Sequence, residues 1–279
     1  MPGVNLMTHN TYEPMPISDA DAAHLEMLGK EAATFLADRS GPSRSQRVIV
    51  ADFEYEYDLN AFKRYQIAED DPTEGYVRWP FHRVVAGSWC VLTLSPELDR
   101  PIVTNVEAIT NLPEAVIAEE FFALCSTFPD ARIVSWGGEN KDFACLRRTA
   151  MENGIALPTQ LRDGAPFSRS RLDLANAMRG LGHYVHLPEL AAALGVPAKP
   201  IPSRDIGLAV KHGQWDHVEA QVVADVCTIA QVAWRYFLAV GAASGLPCAG
   251  DEAVIEALSE RFPENSWLSN IAGPRRIAA

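Results

Sequence analysis

Three consecutive apolar residues, Val48 to Val50, run into an alternating stretch that carries Asp52 and Glu54. Behind the polar segment Ser43 to Arg47, such a short run reads as a buried central strand. Side chains on a strand repeat with a period of two, so Asp52 and Glu54 point to one side while Phe53 packs on the other. Two acids on one face of a buried strand end repel each other and lose hydration, and a divalent cation is the simplest neutralising partner. Taken alone, a D-x-E segment reads better as a solvated acidic strand end shared with Glu56 and Asp58. Two further acids change that reading.

Arg132 to Trp136 predicts a short strand closed by Gly137 and Gly138, a turn that brings backbone close to a ligand. Asp142 then opens a predicted helix that runs through Leu146 and Ala150 to Asn153 and Gly154, where an acid suits the helix dipole as well as a metal. Val218, Val222, Cys227, Ile229, Val232, Ala233 and Phe237 recur near the helical period and predict a long helix over about 216–238. Asp225 interrupts its apolar stretch with no Lys or Arg three or four residues away, and metal ligation supplies the partner it needs.

These acids stand in ADFE, SWGGENKDFACL and ADVCTIAQVAWRYF, with WPFHRVVAGSWCV after the first and RLDLANAM and LPELAAALGVPAKP between the last two. In this order and spacing the chain resembles, from about Arg47 to Gly241, the predicted 3'-5' exonucleases related to the proofreading domain of family B DNA polymerases, within the DEDD exonuclease superfamily. The resemblance implies an α/β ribonuclease H-like fold, a mixed central β-sheet flanked by helices on both sides. Strands read from the residues near 48–54, 84–94, 102–105 and 132–136, followed mostly by helices, agree with such a sheet.

The resemblance also implies roles: Asp52 bridges two metal ions, Glu54 and Asp225 complete the first, and Asp142 holds the second, directly or through water. Phe53, Lys141 and Arg147 are candidate substrate contacts, although Lys141 reads better as an ordinary solvated side chain. Carboxylate and water ligands suit Mg²⁺ or Mn²⁺ rather than Zn²⁺. Two such ions about 4 Å apart activate water and stabilise the leaving 3'-oxygen. The implied reaction releases nucleoside 5'-monophosphates from a nucleic acid 3' end. Single strands are the expected partner, because an unpaired terminal nucleotide is the easiest to splay, and DNA is expected over RNA. Most relatives carry Tyr or His four residues before the third-motif Asp; here Gln221 stands there, able to orient a water but not to take its proton. Gly137 and Lys141 replace the relatives' Asn and Phe in the second motif. An alternative therefore stays open: a catalytically weak or inactive module of the same fold that binds nucleic acid ends.

The chain of 279 residues is long enough for a sizeable core and favours one domain with tails. The sequence divides into an N-terminal extension (1–45: a loose segment, a helix over Asp19–Asp38 and a linker), a nuclease domain (46–242), and a C-terminal segment (243–279) with a helix over Asp251–Arg261 and a frayed tail. Residues 69–80 read as an acidic loop. A net charge of −12 gives no global basic footprint. Local cations are Arg147, Arg148 and the arginines Arg162, Arg169 and Arg171 of a Gly, Pro and Ser-containing loop, which reads as solvated. Cys90, Cys125, Cys145, Cys227 and Cys248 form no C-x-x-C pair and read as reduced core residues, and His183 and His186 lack zinc-site partners. Without a charged leader or an apolar run of about 18 residues, cytoplasmic residence and no membrane contact are expected.

Overall fold

The computed structural model describes residues 45–272, except 71–72, 74, 165–167, 180–181 and 199–202. Every described element belongs to one compact unit, Arg44–Ala279. The predicted helix over Asp19–Asp38, its flanking segments and the tail ending GPRRIAA lie outside the described residues.

The strand predicted at Val48–Glu54 runs from Gln46 to Tyr57 (β1) and, among the described residues, lies in the middle of a five-stranded sheet whose order is Ile102–Thr110 (β3), His82–Leu94 (β2), β1, Arg132–Ser135 (β4) and Arg171–Asp173 (β5). β2 (His82–Leu94) pairs antiparallel with β1, placing Ser88 opposite Asp52, and β3 (Ile102–Thr110) pairs antiparallel with β2. β4 (Arg132–Ser135) lies parallel to β1, with Val134 opposite Val50, and β5 (Arg171–Asp173) lies parallel to β4. An antiparallel meander joined to parallel strands, with helices on both faces, is the ribonuclease H-like α/β architecture.

Alternation along β1 decides what each face buries. Val48 and Val50 enter a core with Val223, Cys227 and Ala230 of the long helix Trp215–Ala239, while Ile49, Ala51 and Phe53 enter a second core on the other face. That second core is closed by Ile117 and Phe121 of the helix Glu114–Thr127 and by Phe143 and Leu146 of the helix Asp142–Asn153. A third cluster packs Val85 and Ala86 of β2 against Ile206 and Ala209 of Ser203–Lys211 and Val218 and Val222 of Trp215–Ala239. In chain order the helices are α1 (Leu59–Ala68), α2 (Glu114–Thr127), α3 (Asp142–Asn153), α4 (Thr159–Arg162), α5 (Leu174–Arg179), α6 (Leu187–Leu194), α7 (Ser203–Lys211), α8 (Trp215–Ala239), α9 (Pro247–Arg261) and α10 (Ser266–Ala272).

Several elements depart from the sequence reading. β3 continues past Asn105 because that residue takes a left-handed conformation (φ 50°) beside an irregularity in the β2 pairing, which lets the ladder resume to Thr110. α1, β5 and α10 were not legible: three residues, Arg171 to Asp173, carry no alternation, and α1 is held by its cap, where the Asp58 carboxylate accepts a 2.8 Å bond from the Ala61 amide. α9 starts at Pro247 rather than Asp251, since proline suits the first helical turn. Residues of the C-terminal segment, including Val254, Leu258 and Leu268, are buried in the same core as α8. α8 is long and apolar enough to cross a bilayer, but 78% of its most apolar window is buried inside the protein. Cys90, Cys125, Cys145 and Cys227 are buried thiols, whereas Cys248 is exposed.

Candidate active site

Asp52 and Glu54 continue the face of β1 that begins with Val48 and Val50, so they meet the helix that covers it. α8 brings Asp225 there, and the carboxylate oxygens of Asp52, Glu54 and Asp225 lie within 4.8 Å of one another. Asp142 arrives by a different route. β4 runs parallel beside β1, so both strands end on the same edge, where open α/β sheets place their ligands, and the turn after β4 delivers Asp142 at the start of α3. Its Oδ1 accepts a 2.8 Å hydrogen bond from the Tyr55 hydroxyl, on the opposite face of β1 from Glu54, next to a shift in the β1–β2 register.

Burial pushes the Asp52 carboxyl well above the usual carboxylate range, and the charges of Asp225, Asp142 and Glu54 push it further, with Lys141 opposing. Asp142 is raised as well, chiefly by burial, against Lys141 and the Tyr55 hydrogen bond. Burial and the neighbouring Asp142 also hold the Tyr55 phenol above its ordinary value, so it stays protonated and donates. The Lys141 ammonium sits 4.1 Å from the centre of the Tyr55 ring. Among the described residues, Lys141 is the cation that acts on Asp52 and Asp142, and the candidate donors of the four acids are all carboxylate oxygens. That donor set fits hard divalent cations and does not fit zinc.

Three candidate contacts are placed differently from the sequence reading. Gln221 is fully buried, and its Nε2 donates 2.7 Å to Oδ2 of Asp225, so the partner missing among Lys and Arg is an amide one turn earlier; the group expected to orient water holds a carboxylate instead. Phe53 stacks edge-on against Phe121, with ring centres 5.2 Å apart, inside the core on the far face, and also lines the cleft beside Asp52. The Arg147 guanidinium donates to the carbonyls of Leu161 (2.9 Å) and Asp163 (2.7 Å), fastening α3 to α4. Lys141 does line the cleft, a space of about 290 Å³ bounded by Asp52, Asp142 and Asp225 and by the apolar surfaces of Trp136, Tyr184 and Leu187.

The turn that carries Asp142 is gripped from β5. Asp173 accepts from the Gly137 amide at 2.8 Å and the Glu139 amide at 3.2 Å, while also capping α5 through the Ala175 and Asn176 amides. Arg171, read from sequence as part of a solvated loop, is fully buried and pairs with Glu139 at 2.6 Å. Gly137 adopts φ 77°, and a Cβ there would lie 2.7 Å from the Tyr184 hydroxyl, which in turn accepts from Asn140 at 2.6 Å. Tyr55, Asp173 and Tyr184 escaped the sequence reading because each acts across the fold; the weak signal for Asp173 was its place in the RLDLANAM segment.

The model of a family described as predicted 3'-5' exonucleases related to the exonuclease domain of PolB matches residues 74–246. The match takes in Asp142, Gln221 and Asp225; Asp52 and Glu54 precede it and reach the site through the sheet. No curated protein matches this sequence. Among solved structures, the family B DNA polymerase of the hyperthermophilic archaeon Pyrobaculum calidifontis is 15% identical with a TM-score of 0.46, covering 78% of this chain and 29% of its own. Escherichia coli exonuclease I in complex with a dT13 oligonucleotide is 14% identical with a TM-score of 0.43, covering 69% and 41%. A product-bound exonuclease I is 12% identical with a TM-score of 0.43, covering 71% and 44%. The chain spans less than half the length of these structures.

Proposed function

We infer, since the chain belongs to the family of predicted 3'-5' exonucleases related to the exonuclease domain of PolB, that it removes nucleotides one at a time from the 3' end of single-stranded nucleic acid, with DNA the preferred substrate. The observation that carries this reading is the convergence of Asp52, Glu54 and Asp225 oxygens within 4.8 Å beside a buried Asp142. Asp52, Glu54, Asp142 and Asp225 would hold two Mg²⁺ or Mn²⁺ ions, which when bound supply an activated water and stabilise the leaving 3'-oxygen.

The protein's own residues prepare that chemistry. Tyr55 fixes the orientation of Asp142, and Gln221 fixes that of Asp225, so the ligand carboxylates are held before substrate arrives. Lys141 offers its ammonium to a backbone phosphate entering the cleft. A space of about 290 Å³ is at the small end for ligand clefts and suits one splayed terminal nucleotide better than a base pair.

Digestion of 5'-labelled single-stranded DNA and RNA with Mg²⁺ or Mn²⁺ tests this. Wild type should give a ladder shortening from the 3' end, abolished in Asp52→Ala. Gln221 favours a second reading, an end-binding module without turnover, because an amide bonded to Asp225 takes no proton from water. Folded wild-type protein that leaves every strand intact with both metals would decide for that module.

A further inference from the structure

The cleft has room for a terminal nucleotide, and the strand behind it needs a path. On the face of β1 and β2 that carries Tyr55, two more rings follow outward from Asp142: Tyr55 and His82 have centres 5.9 Å apart, and His82 and Tyr57, opposite each other in the ladder, 4.9 Å. Tyr57 is 58% exposed, at the end of a strand whose middle, Val48 to Ala51, is buried. Cations stand at both ends. Lys141 lies over Tyr55 at the cleft, and the charge of exposed Arg64 on α1 acts on Asp58, the residue after Tyr57. Glu56, between the two tyrosines, falls on the opposite face by alternation.

Exposed rings give sequence-tolerant stacking to every base, and interleaved cations meet the phosphates; this is how single strands are held without base readout. In a chain of net charge −12, a polyanion needs such local cations to approach. We propose that exposed Tyr57, backed by the partly buried rings of His82 and Tyr55 and flanked by Lys141 and Arg64, forms a stacking track that guides a single strand, 5' of the nucleotide being removed, into the carboxylate cluster. This rests on the exonuclease reading above and names the substrate path it requires.

The test compares Tyr57→Ala and Tyr57→Phe with wild type on a labelled dinucleotide and on a single strand of about twelve nucleotides, in Mn²⁺, with thermal melts to confirm folding. Tyr57→Ala should raise KM for the longer strand about 5- to 100-fold, the range for losing one base stack, and leave kcat and dinucleotide hydrolysis unchanged; Tyr57→Phe should restore KM. Equal KM for wild type and Tyr57→Ala on the long strand overturns the track while the exonuclease stands. Should wild type hydrolyse neither substrate, the exonuclease reading has failed, and fluorescence anisotropy with the same strand reads the track directly: binding weakened in Tyr57→Ala upholds it, and equal binding or none overturns it.

Discussion

At Asp52, burial and three neighbouring carboxylates all oppose ionisation, so its folded pKa stands above the ordinary value near 3.9. A raised folded pKa means that the folded state binds the proton more tightly than the unfolded chain. In chelator-treated protein the stability from this group is therefore complete below the ordinary carboxylate pKa and is lost as pH rises through the raised value. Asp52→Asn removes that loss. Without metal it should melt above wild type at pH 8 and close to it at pH 4, while losing nuclease activity; Mn²⁺ should raise the wild-type melting temperature at pH 8 and do little for the variant. Scanning fluorimetry across pH decides it, and identical melting of the two proteins at pH 8 without metal would contradict the electrostatic account. That Asp52 and Glu54 share a face was legible from alternation alone. The hydroxyl of Tyr55 on Asp142 was not, since the two residues are 87 positions apart.

The elements that carry the site differ in how openly the sequence displays them. β1, β4 and α8 show their apolar period, and α3 shows its end, Gly154 in the left-handed conformation (φ 67°). β5 shows nothing comparable, because its contribution is polar: Asp173 and Arg171 hold the turn between β4 and α3 through amides and one buried ion pair. Asp173→Ala strips the Gly137 and Glu139 amides of their acceptor and leaves Asp142 on a looser turn. Leaving such donors unpaired should cost about 1–3 kcal/mol in urea unfolding, and the loss of support behind Asp142, the proposed ligand, should lower nuclease activity or metal affinity about 10- to 100-fold. A variant with full activity and full stability would show that the turn holds its shape unaided.

For the molecule as a whole, the C-terminal segment is part of the main core. Gly250 lets α9 approach α8 so closely that a Cβ there would lie 2.1 Å from Cδ1 of Trp234, and Val254, Leu258 and Leu268 complete the apolar surroundings of that tryptophan and of Phe237. A chain ending after Ala242 should lose cooperative thermal unfolding and soluble yield, since it exposes the face of α8 that α9 and α10 cover; a sharp melting transition in that truncated protein would refute the shared core. The sequence by itself determined which residues are acids in apolar settings, which segments are the central strand and the long helix, and that an all-carboxylate set suits Mg²⁺ or Mn²⁺, because periodicity and ligand chemistry are local properties. Only the tertiary structure decided that Asp225 shares a face with Asp52 and Glu54, that Gln221 is turned to Asp225, that Phe53 packs on Phe121 beside the cleft while Arg147 fastens α3 to α4, and that β5 holds the turn bearing Asp142. Those assignments depend on strand order, on the parallel pairing of β1 with β4 and on the seating of α8 against the sheet, contacts between residues far apart along the chain that no local pattern encodes.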